Sequence, residues 1–198
     1  MTSIAAPTVL ADRLVAQRSV VTDVALVAAG VSLTTLLAQV AIPLWPVPVT
    51  GQTLAVLVVG ASLGAVRGAA SLAVYAILGA AGLPIFSEQT SGLAILAGPT
   101  GGYIVGFVLA AALTGWLAER RWDRRFLGAA VAMTAGTLVT FAIGLPWLAF
   151  ATGGSFEQVL AWGLLPFIPG GIVKAVIAAA ILPLAWQGVR ALDARRGE

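Results

Sequence analysis

The sequence contains no cysteine and no histidine. Disulfide frameworks and thiol nucleophiles are therefore excluded, and so are Ser-His-Asp triads and zinc sites built from thiolate or imidazole ligands. Haem ligation by histidine is excluded for the same reason. Much familiar active-site chemistry is thus ruled out before any motif is considered.

Charge is also scarce, since charged residues make up 10% of the chain and hydrophobic residues 60%. A soluble protein has about 25% charged residues. The charge-free stretches include 24–66, 89–118 and 126–156, and a helix needs about 20 apolar residues to cross a bilayer. The sequence therefore predicts an all-α membrane protein.

Helix-breaking residues divide the apolar stretches into six predicted transmembrane helices. Pro43 ends the first, Arg67 beside two glycines separates the second from the third, and Gly-Leu-Pro sequences at 82–84 and 144–146 end the third and fifth. The predicted spans are about 24–42, 53–66, 69–82, 98–118, 127–144 and 170–187.

The segments between the spans have their own signals. The sequence WPVPVTGQT at 45–53 predicts an ordered non-helical loop or strand, because prolines prevent regular helix. Residues 84–98 are predicted as a linker. Ser155 followed by Gln158 fits a capping box that opens a short interfacial helix.

The arginines predict the orientation. With six spans and a cytoplasmic N terminus, all ten arginines lie in cytoplasmic segments, whereas the external segments carry only Glu88 and Glu157. This bias sets topology in membrane proteins, and it explains the isoelectric point of about 10.2 without a nucleic-acid partner. We expect a cytoplasmic lead-in at 1–23, a membrane domain at 24–188 and a basic cytoplasmic tail at 189–198.

Lys174 is the one lysine, and it lies near the external end of the last predicted span. It is followed by alanine, so the chain has no phosphate-binding loop, and any use of ATP must come from another chain. An ammonium in hydrocarbon costs about 2.5–3.5 kcal/mol and is usually paired or lines a wet cavity. Two interpretations stay open: the side chain snorkels to the interface, or it donates to a polar ligand.

Other polar and irregular segments lie on the same external side. Residues 45–53 supply Thr50, Gln52 and Thr53, and residues 98–103, GPTGGY, supply Thr100, Gly101, Gly102 and Tyr103. Irregular backbone at membrane depth is tolerated where it is buried in protein or lines a cavity. A tight turn at the start of a helix is the alternative for GPTGGY, but the convergence of these segments with Lys174 favours a small-molecule pocket.

Ala25 and Ala29 place small residues four positions apart on the first predicted span. Such a face allows two helices to pack closely in lipid. The partner helix belongs either to this chain or to another membrane subunit.

Four segments together resemble the BioY family, the biotin-specific substrate-binding S components of energy-coupling-factor vitamin transporters. They are PVPVTGQT at 46–53, GAAGLPIF at 79–86, GPTGGYIVGF at 98–107 and PFIPGGIVKA at 166–175. The resemblance runs from about residue 24 to 186. It implies a six-helix S-component fold that captures biotin from outside and releases it by toppling within a complex of a transmembrane T component and paired ATP-binding subunits.

The resemblance also assigns roles to residues. Lys174 matches the family lysine that contacts biotin, while Ala25 and Ala29 fall on the face that contacts the T component. Many relatives have an aspartate three positions before that lysine, where this chain has Gly171. Gln52, Gln89 or a backbone carbonyl would then accept from the biotin ureido group, and Tyr103 or Trp45 would form an aromatic wall.

The resemblance implies transport of biotin without a resident cofactor, a metal or an enzymatic reaction. A stand-alone facilitator or secondary carrier for a small organic molecule is the alternative, although the predicted spans contain no Asp or Glu for ion coupling. A membrane assembly subunit without a ligand is a third possibility, and it leaves the polar external segments unexplained.

Overall fold

The computed structural model describes residues 9–15 and 19–196. These ranges contain nine α-helices, two short strands and two 3-10 turns, at Ser87–Gln89 and Trp122–Arg124. The helices and strands are α1 Leu10–Leu14, α2 Val20–Ala38, β1 Ala41–Ile42, β2 Val49–Thr50, α3 Gln52–Leu63, α4 Ala65–Ala80, α5 Leu93–Ala97, α6 Gly101–Glu119, α7 Phe126–Thr152, α8 Phe156–Gly163 and α9 Phe167–Arg196.

Four of these helices, α2, α6, α7 and α9, are long and apolar enough to cross a membrane. The helices α3 and α4 are apolar but shorter. Each of the six predicted spans corresponds to one of these six helices. The prediction of a helical, multi-pass membrane protein is confirmed at this level.

The helix α6 lies at the centre of the bundle. In its most apolar stretch of 18 residues, 67% of the residues are buried, against 17% in the corresponding stretch of α2. The helix α6 packs against α3, α4 and α7. Glycine makes these close crossings possible: a Cβ on Gly60 of α3 would come within 2.5 Å of the carbonyl oxygen of Ala111 of α6. The central position of α6 brings its first turn beside segments 46–53 and 86–100.

The chain turns between α3 and α4 at Gly64, whose φ of +88° favours glycine. The prediction of a turn at Arg67 was therefore wrong by three residues. Arg67 lies within α4, where its guanidinium pairs with Asp12 of α1 at 2.6 Å and Asp23 of α2 at 3.3 Å. The ion pairs connect three helices at this end of the bundle.

The helix α7 continues to Thr152 through Pro146, so the predicted end at 144–146 was wrong. Gly144 faces α6 instead of capping a helix, since a Cβ there would lie 2.5 Å from the ring of Tyr103. Proline is tolerated inside a membrane helix when neighbouring helices pack around the interrupted hydrogen bonds. The same Gly-Pro pattern does end α4, where Gly82 has φ of +108°.

The segment before α3 folds back as a hairpin in which Ala41 pairs with Thr50 and Ile42 with Val49. The first span therefore lies four residues earlier than predicted, because α2 begins at Val20 and ends at Ala38. The prediction for 45–53 is confirmed up to Gly51. The predicted linker at 84–98 contains the short helix α5, whereas the capping box is confirmed: the Ser155 and Gln158 backbone amides each donate to the other's side chain, at 2.9 and 3.4 Å.

Candidate functional site

A cavity of about 240 Å³ lies beneath the hairpin, between the 86–100 segment and helices α6, α7 and α9. Its size is slightly below the usual range of about 300–1,000 Å³ for drug-sized ligands, so it suits a compact molecule. The lining is mostly apolar with a few polar groups. It comprises Pro46, Val47, Pro48, Thr50, Gln52, Thr53, Phe86, Ser87, Glu88, Thr90, Ala94, Ile95, Gly98, Pro99, Thr100, Tyr103, Ile104, Phe107, Thr140, Phe141 and Phe167.

The buried polar edge of the cavity is a chain of hydrogen bonds from the hairpin to α4. The Thr50 hydroxyl donates to Gln52 Oε1 at 2.8 Å, and Gln52 Nε2 donates to the Tyr75 hydroxyl at 2.6 Å. Tyr75 in turn donates to the carbonyl of Ile85 at 3.1 Å. The chain fixes the amide of Gln52 in one orientation, with its second N–H still available to a ligand.

Three aromatic rings form the opposite wall. The ring of Tyr103 stacks on Phe167 with centroids 6.1 Å apart and meets Phe141 edge-on at 6.0 Å. The Tyr103 hydroxyl donates to the carbonyl of Gly163 at 2.9 Å. Because the hydroxyl is already used, Tyr103 offers the cavity the surface of its ring.

Lys174 lies behind this aromatic wall. Its ammonium donates to the carbonyl of Thr50 and, at 3.1 Å, to the hydroxyl of Thr53. It borders a second cavity of about 10 Å³, which shares Thr53, Phe141 and Phe167 with the main one. The positive charge is thus half-buried beside a cavity that shares part of its wall with the main one.

The structure brings several predicted site residues together. Thr50, Gln52, Thr100 and Tyr103 line the main cavity. Gly171 borders the small cavity beside Lys174, and a Cβ there would meet nothing within 4 Å. The position therefore has room for a larger side chain.

Other predicted site residues lie outside the lining. Gly101 and Gly102 allow α6 to pack closely, since a Cβ on either would overlap Leu96 or Trp147. The side chain of Gln89 is exposed, and its backbone N–H donates to Gln39 Oε1 at 3.2 Å. Trp45 is 80% exposed and meets Trp162 edge-on at 5.7 Å. Contact of these four residues with a ligand stays a prediction.

Sequence reasoning missed Phe141 and Phe167, which separate the two cavities, as well as Phe86, Glu88 and Thr140 in the lining. An aromatic residue in an apolar span carries no sign of whether it faces lipid or a cavity. Glu88 did have a signal, as an acidic residue in a predicted external linker. Its left-handed backbone, φ of 56°, could not be anticipated.

Ala25 and Ala29 are exposed on the outer surface of α2. Gly30 instead faces inward, where a Cβ would come within 2.5 Å of the Ser71 hydroxyl oxygen. The small-residue face is therefore formed by alanines, while the glycine serves internal packing. Among the residues that the structure describes, no group of three His, Cys, Asp or Glu side chains is placed to hold a metal.

The fold defines a multi-pass helical membrane protein, and a cavity large enough for a small molecule lies near one end of its bundle. The chain belongs to the BioY family, whose family model matches residues 8–191. It is similar to the biotin transporter BioY of Rhizobium etli, with 38% identity over 167 residues that cover 81% of this chain and 89% of the relative. It is also 40% identical over 159 residues to a probable biotin transporter BioY of Pyrococcus horikoshii, covering 80% and 93% of the two chains.

A solved structure shares the fold. It is the S-component for biotin from an ECF-type ABC transporter, with a TM-score of 0.75 over 86% of this chain and 95% of that chain. Sequence identity between the two is 23%. The two chains therefore share the arrangement of their helices.

Proposed function

We propose that the chain is the substrate-binding subunit of an energy-coupling-factor transporter and that it captures biotin. The observation that carries this proposal is the cavity beneath the hairpin, which combines apolar walls with the amide of Gln52 and the nearby ammonium of Lys174. Membership of the BioY family supports the identity of the ligand.

The chemistry of biotin fits the lining. Its thioether ring is compact and apolar, as the aromatic wall of Tyr103, Phe141 and Phe167 requires. Its ureido group has two donors and one acceptor, which match the carbonyl and amino groups of Gln52 and the hydroxyl of Thr100. Its carboxylate would be stabilised by an ammonium. Biotin is cargo in this proposal, and no cofactor or catalytic residue is required.

The direct test is equilibrium binding of biotin to the purified full-length chain. Lipoic acid is the matched control, because it has a sulfur ring and the same acid tail but no ureido group. We expect biotin to be retained and lipoic acid not. Equal binding of biotin and lipoic acid, or retention of an unrelated vitamin in place of biotin, would contradict the assignment.

We further propose that α2, α3, α4, α6, α7 and α9 all cross the cytoplasmic membrane of a prokaryote, with both termini in the cytoplasm. The arginine distribution supports this topology. Residues 24–188 then form the membrane domain, flanked by the lead-in 1–23 and the tail 189–198. Labelling of single cysteines is a clean test in a chain without cysteine: a residue of the hairpin should react from outside and one near Arg120 only after permeabilisation.

The partners in this proposal are a transmembrane T component and ATP-binding subunits, because the chain has no phosphate-binding loop of its own. The exposed alanines Ala25 and Ala29 are the proposed contact with the T component. A bulky Ala29→Leu change should reduce co-purification of the T component without changing biotin binding. The same change at exposed Ala161 of α8 is the control. Transport by the chain expressed without these subunits would instead favour the stand-alone facilitator.

A further inference from the structure

A groove lined by four arginines lies at the far end of the bundle from the biotin cavity. It has a volume of about 740 Å³, and its lining consists of Arg121, Trp122, Arg124, Arg125, Leu127, Gly128, Val131 and Arg190. Arg190 lies 16 residues beyond Lys174 along α9, which is about 24 Å of helix. Every charged residue in this lining is an arginine.

The fold holds the four arginines together through α9. The indole of Trp186 in α9 donates to the carboxylate of Asp123 in the 3-10 turn, and the guanidinium of Arg124 lies 4.2 Å from the centre of the same indole ring. Arg190 follows Trp186 by one helical turn. The loop between α6 and α7 is therefore fixed against α9, and this contact keeps the arginines of the loop close to Arg190.

Among the side chains that the structure describes, four arginines line the groove and Asp123 is the acid packed against them. Asp123 is fully buried and opposes one guanidinium at most. Burial lowers the pKa of Arg124, and the like charges of Arg121 and Arg190 lower it further, against the effect of Asp123. Within the described ranges, the guanidiniums of Arg121, Arg125 and Arg190 make no hydrogen bond or ion pair. Three donor groups are thus available to an anion.

The same groove continues onto an apolar helix face. Leu127 and Val131 lie one turn apart on α7, and they are 75% and 47% exposed. Both residues line the groove with the arginines. A molecule that fills it therefore needs a negatively charged head and an apolar tail.

We propose that this groove is a binding site for an anionic phospholipid such as phosphatidylglycerol. The phosphate lies among Arg121, Arg125 and Arg190, and an acyl chain runs along Leu127 and Val131. Basic pockets at the ends of membrane helices bind anionic head groups in this way. A soluble phosphate would satisfy the arginines and leave the apolar half of the groove exposed.

The test uses the purified full-length chain in a neutral detergent, titrated with dioleoylphosphatidylglycerol, dioleoylphosphatidylcholine or inorganic phosphate. Lipid binding is measured by native mass spectrometry and by the shift in melting temperature. Each arginine near an anionic lipid contributes about a factor of five in affinity, so R121Q/R125Q should lose about 25-fold toward phosphatidylglycerol. R120Q is the matched control, because Arg120 stacks on Trp116 outside the groove.

The proposal predicts that phosphatidylglycerol binds more tightly than phosphatidylcholine, that R121Q/R125Q removes this preference, and that R120Q and the charge-conserving R121K/R125K retain it. Equal binding of the two lipids would overturn it, as would equal losses in R120Q and R121Q/R125Q. An equal melting shift with inorganic phosphate would replace the lipid by a soluble anion. The single variants are measured in parallel in case the double variant does not fold, and biotin retention in each variant reports separately on the biotin site.

Discussion

The ammonium nitrogen of Lys174 lies 3.1 Å from the hydroxyl oxygen of Thr53, to which it donates. The contact joins α9 to the first turn of α3, and the carbonyl of Thr50 completes it from the hairpin. The ammonium has three donors and these two oxygens accept from two of them, so one N–H is left for a ligand group. The lysine therefore links α9 to both the hairpin and α3.

Lys174→Met should weaken biotin binding about 10- to 100-fold, because a hydrogen bond to a charged group contributes about 1.5–3 kcal/mol. Methionine keeps the apolar stem and removes the charge. The measurement is the dissociation constant for biotin and for biotin amide, with Thr134→Val, an exposed hydroxyl on α7, as the control. A larger loss for biotin than for its amide would place the carboxylate at Lys174, and equal losses would place the ureido end there. An unchanged constant for both would return Lys174 to an anchoring role.

Tyr75→Phe should destabilise the protein by about 1–3 kcal/mol, because the buried amide of Gln52 and the carbonyl of Ile85 both lose their partner. Tyr103→Phe removes one hydroxyl that serves a single carbonyl, so its cost should be smaller, about 1 kcal/mol. Thermal unfolding in detergent measures both. Equal losses, or the reverse order, would contradict the importance of the Gln52 chain.

Gly79→Ala should lower biotin affinity, because the new methyl group would overlap the ring of Phe86, which lines the cavity. Overpacking of this kind costs about 1–3 kcal/mol. Gly188→Ala on α9 is the control, since a Cβ there meets nothing within 4 Å, and it should stabilise the helix by about 0.5–1 kcal/mol. The dissociation constant for biotin is measured in both variants. Wild-type affinity in Gly79→Ala would refute the steric argument.

Asp123→Asn should make the protein more stable than the wild type at neutral pH. Burial raises the pKa of Asp123 above its ordinary value of 3.8, so the folded state binds the proton more tightly than the unfolded chain does. Its contribution to stability is present at acid pH and is lost as pH rises from about 3.8 through the higher folded pKa. Melting temperatures between pH 4 and 8 measure the effect.

The carboxamide removes this loss, so the advantage of Asp123→Asn should grow with pH across that window. Glu157→Gln, which removes an exposed carboxylate by the same chemical change, is the matched control. A melting temperature of Asp123→Asn that falls with pH as steeply as the wild type would contradict the assignment to Asp123.

The sequence predicted the positions of the apolar helices well, because hydropathy and charge placement depend on the solvent and not on the tertiary structure. It failed where packing decides. Gly144 and Pro146 are residues that often end a helix, but α7 continues through them. Glycine is needed at 144 because the ring of Tyr103 packs against it. The predicted turn was placed at Arg67 because that residue carries the charge. The turn lies instead at Gly64, whose positive φ has no counterpart at Arg67.

The polar residues of the site could be predicted, whereas of the three rings in the aromatic wall only Tyr103 could be. Thr50, Gln52 and Thr100 stood out because polar residues are rare in this chain, and all three line the cavity. Phe141 and Phe167 had no such contrast with their apolar neighbours. Their role emerges only from the packing of α7 against α9.

The hairpin above the cavity carries Pro43, Pro46 and Pro48 between its two strands. Because each pyrrolidine ring fixes φ whether or not a ligand is present, the hairpin has little backbone freedom to lose when a ligand occupies the cavity. Binding energy that a flexible loop would lose to ordering is retained as affinity. The prolines thus preorganise this side of the site.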